Sequence, residues 1–282
     1  VDEASALLSD NPGSQVFAGA TDLVPQMRAG RPAPSVLVDL KGIERLTAVT
    51  HEDGQWTIGA ATPTADLTRD AAFTAAFPGL SEGAGLIGSD QIQNRSSLGG
   101  NLANASPAAD SVPALIANAG QAVIATADGT RTVPASEIVT GPGSTSLADG
   151  EFIVEFMLAD PPAGTGDAYL RMIPRTEMDI AIVGAAVRVT VDGDSISDAI
   201  VVLGAVAPTA VVVTDAAAAL VGVSVAGGSI DHSALAALAE AASAACDPID
   251  DKRGTIAYRR QVAGVLAKRA AAIAVERAQN GV

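Results

Sequence analysis

Two short loops of small residues have the composition and spacing needed to hold a phosphate anion. The first, Phe17-Ala18-Gly19-Ala20-Thr21-Asp22-Leu23, follows a strand pattern and leads into a helix pattern. The second, Ser96-Ser97-Leu98-Gly99-Gly100-Asn101-Leu102, is polar and centred on glycine. Small residues let successive backbone N–H groups approach an anion, and a helix start adds partial positive charge. Either loop alone is better explained as an ordinary turn, because glycine is the usual turn residue.

Residues that usually carry nucleophilic, acid–base or metal chemistry are few. Cys246 is the only cysteine, which excludes an internal disulfide, a cysteine-ligated iron–sulfur cluster and a cysteine-rich zinc site. Its alanine-rich surroundings predict a buried structural thiol. His51 and His232 lie far apart among polar, turn-like residues, so no metal site is expected. Neither a nucleophile nor an acid–base pair is evident, and we expect no catalytic residue in this chain.

A formal dinucleotide-binding fingerprint, G-x-G-x-x-G, is present at Gly83-Ala84-Gly85-Leu86-Ile87-Gly88. That motif is meaningful only between a strand and a helix. Here it lies within a helical pattern of small residues, which disfavours a Rossmann-type site. The chain also has no G-x-x-x-x-G-K motif followed by Ser or Thr, and this excludes a phosphate-binding P-loop.

Composition limits the possible partners and location. The chain has 282 residues with a formal net charge of -15, an acidic balance that argues against nucleic-acid binding and suits a partner with a basic face. Its apolar stretches are shorter than the roughly 20 residues of a membrane helix, and no signal peptide is visible. A cytoplasmic location is therefore expected. The chain starts at Val1 rather than Met, so a preceding segment is left open.

Alternating strand and helix patterns must position the two loops, and together they predict an α+β fold with two lobes. Residues 15–18 are predicted as the strand that enters the first loop and residues 23–28 as the helix that follows it. Residues 160–166, rich in Pro and Gly, are predicted to link the lobes. The other predicted elements are strands over residues 35–40, 56–60, 151–158, 180–191 and 195–204, a hairpin over 121–134, and helices over 2–9, 71–89, 108–119, 215–220, 233–245 and 253–282.

The two loops, taken in this order, resemble those of a known family. The sequence is similar to the FAD-binding subunits of the molybdenum hydroxylases, which include xanthine dehydrogenase, aldehyde oxidase and carbon monoxide dehydrogenase. The resemblance covers nearly the whole chain. Its most specific part is Ser97-Leu98-Gly99-Gly100-Asn101 followed by Ser106-Pro107-Ala108-Ala109-Asp110. Further similar segments are residues 36–43, 58–60, 175–183 and 203–209.

The resemblance implies a vanillyl-alcohol-oxidase/PCMH-type FAD-binding fold. It implies an FAD-binding domain over residues 1–165, with subdomains at about residues 1–48 and 49–165, and a small α+β C-terminal domain over residues 166–282. The cofactor would be non-covalent FAD. The residues that it implies for the pyrophosphate and ribityl chain are Val16, Phe17, Ala18, Gly19, Ala20, Thr21, Asp22, Leu23, Ser97, Leu98, Gly99, Gly100 and Asn101.

Five more residues are implied around the flavin. Asp110 would hold a polar part of the cofactor, Ile87 and Ile153 would lie near the flavin, and Tyr169 or Arg171 would approach its ring. Each also has an ordinary structural interpretation, because Asp110 could cap a helix, Ile153 could be strand core and Arg171 could be a surface charge.

The sequence departs from the family pattern at two positions. Ala20 replaces the second glycine of the first loop, which fits only if its φ angle is negative. Gln93 replaces an expected arginine, although Arg95 is close in sequence. Some relatives carry an iron–sulfur cluster in this subunit, and a chain whose only cysteine is Cys246 cannot.

The resemblance also implies a division of labour among subunits. A large subunit would bind the molybdenum cofactor, a small subunit would carry two 2Fe-2S clusters, and this chain would pass their electrons through FAD to an external acceptor. The assembly would be a dimer of heterotrimers. Its partner subunits could also bring it to a membrane. Two other hypotheses are kept, namely a stand-alone flavin oxidase or reductase of the same fold and a scaffold subunit without flavin.

Overall fold

A small parallel unit begins the chain. The structure is a computed structural model that describes residues 1–281. Strands β1 and β2 pair in parallel, with Val16 opposite Val38, and the first glycine loop and a helix connect them. The elements of this unit are α1 (Asp2–Asp10), β1 (Gln15–Phe17), α2 (Leu23–Arg28), β2 (Leu37–Asp39) and α3 (Glu44–Thr47). The predicted helix over residues 23–28 and the strand that precedes it are confirmed.

A five-stranded antiparallel sheet with a layer of short helices follows. The strand order is β3-β4-β9-β5-β6, and the helices that connect β4 to β5 cover one face of this sheet. Trp56, Phe73, Phe77 and Phe156 are fully or almost fully buried in the shared core. The elements are β3 (Val49–Glu52), β4 (Gln55–Gly59), α4 (Thr64–Arg69), α5 (Ala71–Ala76), α6 (Pro78–Gly85), α7 (Asp90–Gln93), α8 (Leu98–Ala103), α9 (Ser111–Ala117), β5 (Gln121–Thr126), β6 (Gly129–Pro134), β7 (Val139–Gly141), β8 (Ser144–Thr145) and β9 (Phe152–Ala159).

The C-terminal part is a four-stranded antiparallel sheet covered by helices. Its strand order is β10-β11-β12-β13. The long last helix begins where the Thr255 hydroxyl accepts a hydrogen bond from the N–H of Tyr258, and it ends at Gly281, whose φ is +69°. Both are ordinary helix-capping arrangements. The elements are β10 (Thr165–Met172), β11 (Val183–Asp192), β12 (Ser195–Gly204), β13 (Val211–Val212), α10 (Thr214–Ala218), α11 (His232–Ala244) and α12 (Ile256–Asn280).

Two sequence predictions need correction. The segment 96–102 was predicted as a loop, yet most of it lies in α8, because Ser97 caps a helix whose first residues are Leu98 and two glycines. The predicted linker 160–166 runs into β10, which the sequence pattern did not indicate. Val282, the last residue of the predicted C-terminal domain, lies outside the described residues.

Buried polar contacts fix the C-terminal sheet to the helical layer. The Asp167 carboxylate, 4% exposed, accepts hydrogen bonds from the N–H of Gly79 and the side-chain amide of Asn118, at 3.0 and 2.7 Å. Burial raises the pKa of Asp167. Arg277 of α12 donates to the Asp167 carbonyl at 2.7 Å and to Glu82 of α6 at 2.5 Å. The last helix therefore ties both halves of the chain together. Within residues 1–281 no helix is long and apolar enough to cross a membrane.

Candidate cofactor-binding site

A groove of about 400 Å³ lies where the two glycine loops meet. This volume is within the range of small-molecule sites, roughly 300–1,000 Å³. Most of the residues that the sequence predicts for the cofactor line it, namely Val16, Phe17, Ala18, Gly19, Ala20, Thr21, Asp22, Leu23, Ile87, Ser97, Gly99, Gly100, Asn101 and Ile153. The fold thus brings residues from three separate parts of the chain to one concave surface.

The first loop presents unpaired backbone donors to this groove. Among the described residues, the N–H groups of Gly19, Ala20, Thr21 and Asp22 donate to no backbone or side-chain acceptor. A run of such donors attracts an anion, since each carries a partial positive charge. Lys41 supports the loop from behind, because its ammonium donates to the Ala18 carbonyl at 2.9 Å and lies 4.3 Å from the Phe17 ring centroid.

The two loops touch through Gly19. A methyl group on Gly19 would lie 1.8 Å from the carbonyl oxygen of Arg95, so only glycine allows the first loop to pack on the backbone before the second. Gln93, which replaces the expected arginine, donates from its side-chain amide to the Gly85 carbonyl at 2.7 Å. Gln93 therefore braces α7 against α6 and does not bring a charge to the groove.

The φ angle of Ala20 is positive, although alanine was expected to fit at this position only with a negative φ. Ala20 has a φ of +57°, the left-handed conformation that costs a residue with a Cβ about 1–2 kcal/mol. The loop adopts it because the chain must turn there between β1 and α2 while Gly19 stays on Arg95. Ala20 is therefore a strained position in the wall of the groove.

Ala20→Gly is expected to stabilise the protein by roughly 0.5–1 kcal/mol. The relief of left-handed strain exceeds the added entropy of glycine in the unfolded chain. Urea unfolding measures the change, and Ala29→Gly is the matched control, because Ala29 has an ordinary φ of −82° and should lose stability on replacement. An equal loss in both variants would contradict the strain at Ala20.

The second loop is the start of α8. The Ser97 hydroxyl accepts a hydrogen bond from the N–H of Gly100 at 3.1 Å, and the N–H of Gly99 donates to the Ala60 carbonyl at 3.1 Å. A methyl group on Gly99 would lie 2.5 Å from that Ala60 oxygen. The Leu98 and Leu102 side chains, 1% and 0% exposed, pack in the core, and these two members of the loop do not line the groove.

Asp110, Tyr169 and Arg171 form a buried cluster beside the groove and do not line it. Asp110 accepts hydrogen bonds from the Tyr169 hydroxyl at 3.0 Å and from Arg171 at 2.6 Å. Burial raises the pKa of Asp110 to about 6, although Arg171 and Tyr169 oppose the rise. The next residue, Ser111, donates from its hydroxyl to the Asn101 side chain at 2.7 Å. The cluster thus supports the groove through Asn101.

Several lining residues are not among those predicted from the sequence. Gln26 lies in α2, Arg31 follows that helix, and Asn104 follows α8. A further wall consists of Gly143, Thr145, Leu147, Ala148, Asp149, Gly150, Glu151 and Phe152. The position of Gln26 and Arg31 just after the first loop could have suggested them. Nothing in the sequence distinguishes the wall segment, because its contact with the groove depends on how β7 and β8 fold back.

Cys246 is a structural residue. It is buried, its thiol donates to the Ala242 carbonyl at 3.1 Å, and burial raises its pKa to about 11. A thiol of this kind is unreactive at neutral pH. In the described part of the chain no group of three His, Cys, Asp or Glu residues is arranged to hold a metal ion.

Comparison with known proteins gives matches over nearly the whole chain. Residues 1–160 match the family described as the FAD binding domain in molybdopterin dehydrogenase, and residues 168–274 match the CO dehydrogenase flavoprotein C-terminal domain. The carbon monoxide dehydrogenase medium chain of Hydrogenophaga pseudoflava is 34% identical over 271 residues, which are 96% of this chain and 92% of that one. The xanthine dehydrogenase FAD-binding subunit of Escherichia coli O157:H7 is 34% identical over 73% of this chain and 72% of its own length.

Solved structures superpose equally well. Carbon monoxide dehydrogenase from Hydrogenophaga pseudoflava has a TM-score of 0.92 at 35% identity, covering 98% of this chain and 95% of that chain. Quinoline 2-oxidoreductase from Pseudomonas putida 86 has a TM-score of 0.89 at 27% identity, covering 100% and 95%. The predicted α+β fold of the PCMH type is therefore confirmed.

Proposed function

Because this chain belongs to the family of FAD-binding medium subunits of molybdenum hydroxylases, we propose that it relays electrons through FAD. The electrons come from the iron–sulfur clusters of a small partner subunit and leave to an external acceptor. The substrate is oxidised on a large molybdopterin-binding subunit, and the complex is a dimer of heterotrimers. The relatives named as medium chains or subunits support such an assembly, since those names imply further chains.

The observation that carries this proposal is the row of four free N–H groups in the first loop, next to the second loop. A pyrophosphate is the anion that such a row fits, because it extends over several backbone donors. Gly19 and the residues around it hold the pyrophosphate, and the α8 start from Ser97 to Asn101 holds the ribityl chain. Ile87 and Ile153, which line the same groove, lie against the flavin.

The three predicted residues of the buried cluster support the cofactor indirectly in this proposal. Asp110, Tyr169 and Arg171 reach the cofactor from behind the groove wall, through Ser111 and Asn101. No His or Cys lines the groove within residues 1–281, which supports non-covalent binding. FAD supplies the redox chemistry when it is bound, and the chain binds it, orients it and shields it from water.

Flavin content and its reduction test the proposal. The purified full chain should be yellow and should release FAD on denaturation; a colourless protein that neither contains nor takes up FAD would refute it. Substrate should bleach the flavin only when the large and small subunits are present. Bleaching of the isolated chain by a substrate of its own would instead favour the stand-alone oxidase or reductase.

A further inference from the structure

Side-chain charge in the groove is unevenly distributed. Arg31 is the only Lys, Arg or His among its lining residues in the described part of the chain, whereas Asp22, Asp149 and Glu151 are acidic. Glu151 is already neutralised, because Arg131 outside the groove donates to both of its carboxylate oxygens, at 3.0 and 2.7 Å. Partial desolvation raises the pKa of Asp22. A ligand with phosphate groups therefore meets one full positive charge in this groove.

Hydrogen bonds hold Arg31 in place at the groove. The helix α2 ends at Arg28, and Gly30 with a φ of +101° turns the chain. The N–H of Arg31 then donates to the Gln26 carbonyl at 3.0 Å, and the Arg31 guanidinium donates to the Gln26 side-chain oxygen. The Gln26 amide donates in turn to the Asn104 side chain at 2.9 Å. Since Asn104 ends α8, this chain of bonds joins the helices of both loops and fixes the guanidinium beside them.

We propose that Arg31 binds the phosphate groups of the cofactor and supplies the one full positive charge of the site. This inference rests on the proposed FAD function. A guanidinium offers several N–H donors in one plane, which match two phosphate oxygens at once. Only one of these donors is used by Gln26, so the others are available to a ligand in the groove. The free N–H groups of the first loop bind the same phosphates with partial charges only.

The test compares FAD binding by the full-length protein, stripped of flavin, with that of three variants. Fluorescence quenching of FAD gives the dissociation constant at several salt concentrations. Arg31→Gln should weaken binding about tenfold, as expected for one charge-assisted hydrogen bond, and should flatten the salt dependence because a charge pair is lost. Arg31→Lys keeps the charge but loses the planar pair of donors, so its affinity should fall between those of Arg31→Gln and the unmodified protein, with an unchanged salt dependence.

Arg28→Gln is the matched control, because Arg28 is exposed at the end of α2 and does not line the groove. It removes the same charge three residues away and should change binding less than twofold, an effect of the size that screened surface charges produce. Unchanged affinity in Arg31→Gln, or an equal loss in Arg28→Gln, would overturn the role of Arg31. Failure of the unmodified protein to bind FAD would refute the proposed function instead, so the two outcomes are distinct.

Discussion

Gly19→Ala is expected to weaken FAD binding roughly 100-fold, because over-packing costs up to about 3 kcal/mol and each 1.4 kcal/mol is tenfold in affinity. The added methyl group would lie 1.8 Å from the carbonyl oxygen of Arg95 and 2.4 Å from its carbonyl carbon. Both are backbone atoms that cannot rotate aside. The first loop must therefore move away from the second, and the four free N–H groups no longer converge on one anion.

Gly42→Ala is the matched control for this variant. A methyl group on Gly42 meets no atom within 4 Å, and Gly42 has no positive φ. FAD titration of the stripped full-length protein measures the affinity, and far-UV circular dichroism checks that the variant is folded. In Gly99→Ala the added methyl group would lie 2.5 Å from the Ala60 carbonyl oxygen. This variant should also bind FAD more weakly, because it displaces the second loop. FAD binding by Gly19→Ala at the level of Gly42→Ala would contradict the proposed contact between the loops.

The sequence predicted those parts of the fold that depend on local patterns. The helix Leu23–Arg28 and the strand Ser195–Gly204 have the predicted bounds, because each has a clear period and clear stop signals. Strands β3 and β10 were missed. Strand β3 has four residues, of which only Val49 is apolar, so it shows no alternation. Strand β10 follows a Pro- and Gly-rich stretch that resembles a linker. Register, sheet order and the closure of β7 on β8 depend on distant contacts, which no local window contains.

The same distinction applies to the site. The two loops could be predicted because anion binding by small residues leaves a local signature. The strain at Ala20 could not, since an alanine gives no local signal of the positive φ that it adopts there. The burial of Asp110 with Arg171 also depends on a contact between residues 61 positions apart. Apart from its place after the first loop, nothing in the sequence distinguishes Arg31 from other surface arginines, and it becomes significant as the one cation that lines the groove among residues 1–281.

Arg171→Met is expected to destabilise the protein by about 2 kcal/mol at neutral pH. Proton uptake by Asp110, whose pKa is about 6, limits the cost of the unpaired charge to about 1.4 kcal/mol at pH 7, and lost packing adds the rest. The Arg171 and Asp110 side chains are 6% and 10% exposed, and 2.6 Å separates the bonded atoms. Without Arg171, the Asp110 carboxylate keeps only the Tyr169 hydroxyl as a partner. A buried carboxylate with one neutral donor is strongly disfavoured, because its charge is no longer compensated.

The loss of stability caused by Arg171→Met should depend on pH, and this dependence identifies Asp110 as the group affected. Burial raises the pKa of Asp110 to about 6 from an ordinary value of 3.8. Asp110 therefore binds a proton more tightly in the folded state than in the unfolded state. The resulting gain in the free energy of unfolding is complete below about pH 4 and is lost as pH rises through about 6. Loss of Arg171 raises the pKa of Asp110 further. The penalty of Arg171→Met should thus be largest at pH 7 and should decrease toward pH 5.

A double-mutant cycle measured by urea unfolding separates this pair from general effects of the arginine. Asp110→Asn should also destabilise at pH 7, because it leaves the buried guanidinium without a counter-charge. It should remove the Asp110 contribution to the pH dependence of stability and leave that of Asp167, whose pKa burial also raises. The double variant should recover part of the loss, since neither charge is then left alone. Arg188→Met is the control: its partner Asp198 is 55% exposed, so this loss should stay near 1 kcal/mol. Equal and pH-independent losses in Arg171→Met and Arg188→Met would show that Arg171 stabilises the protein by packing alone and not by compensating the Asp110 charge.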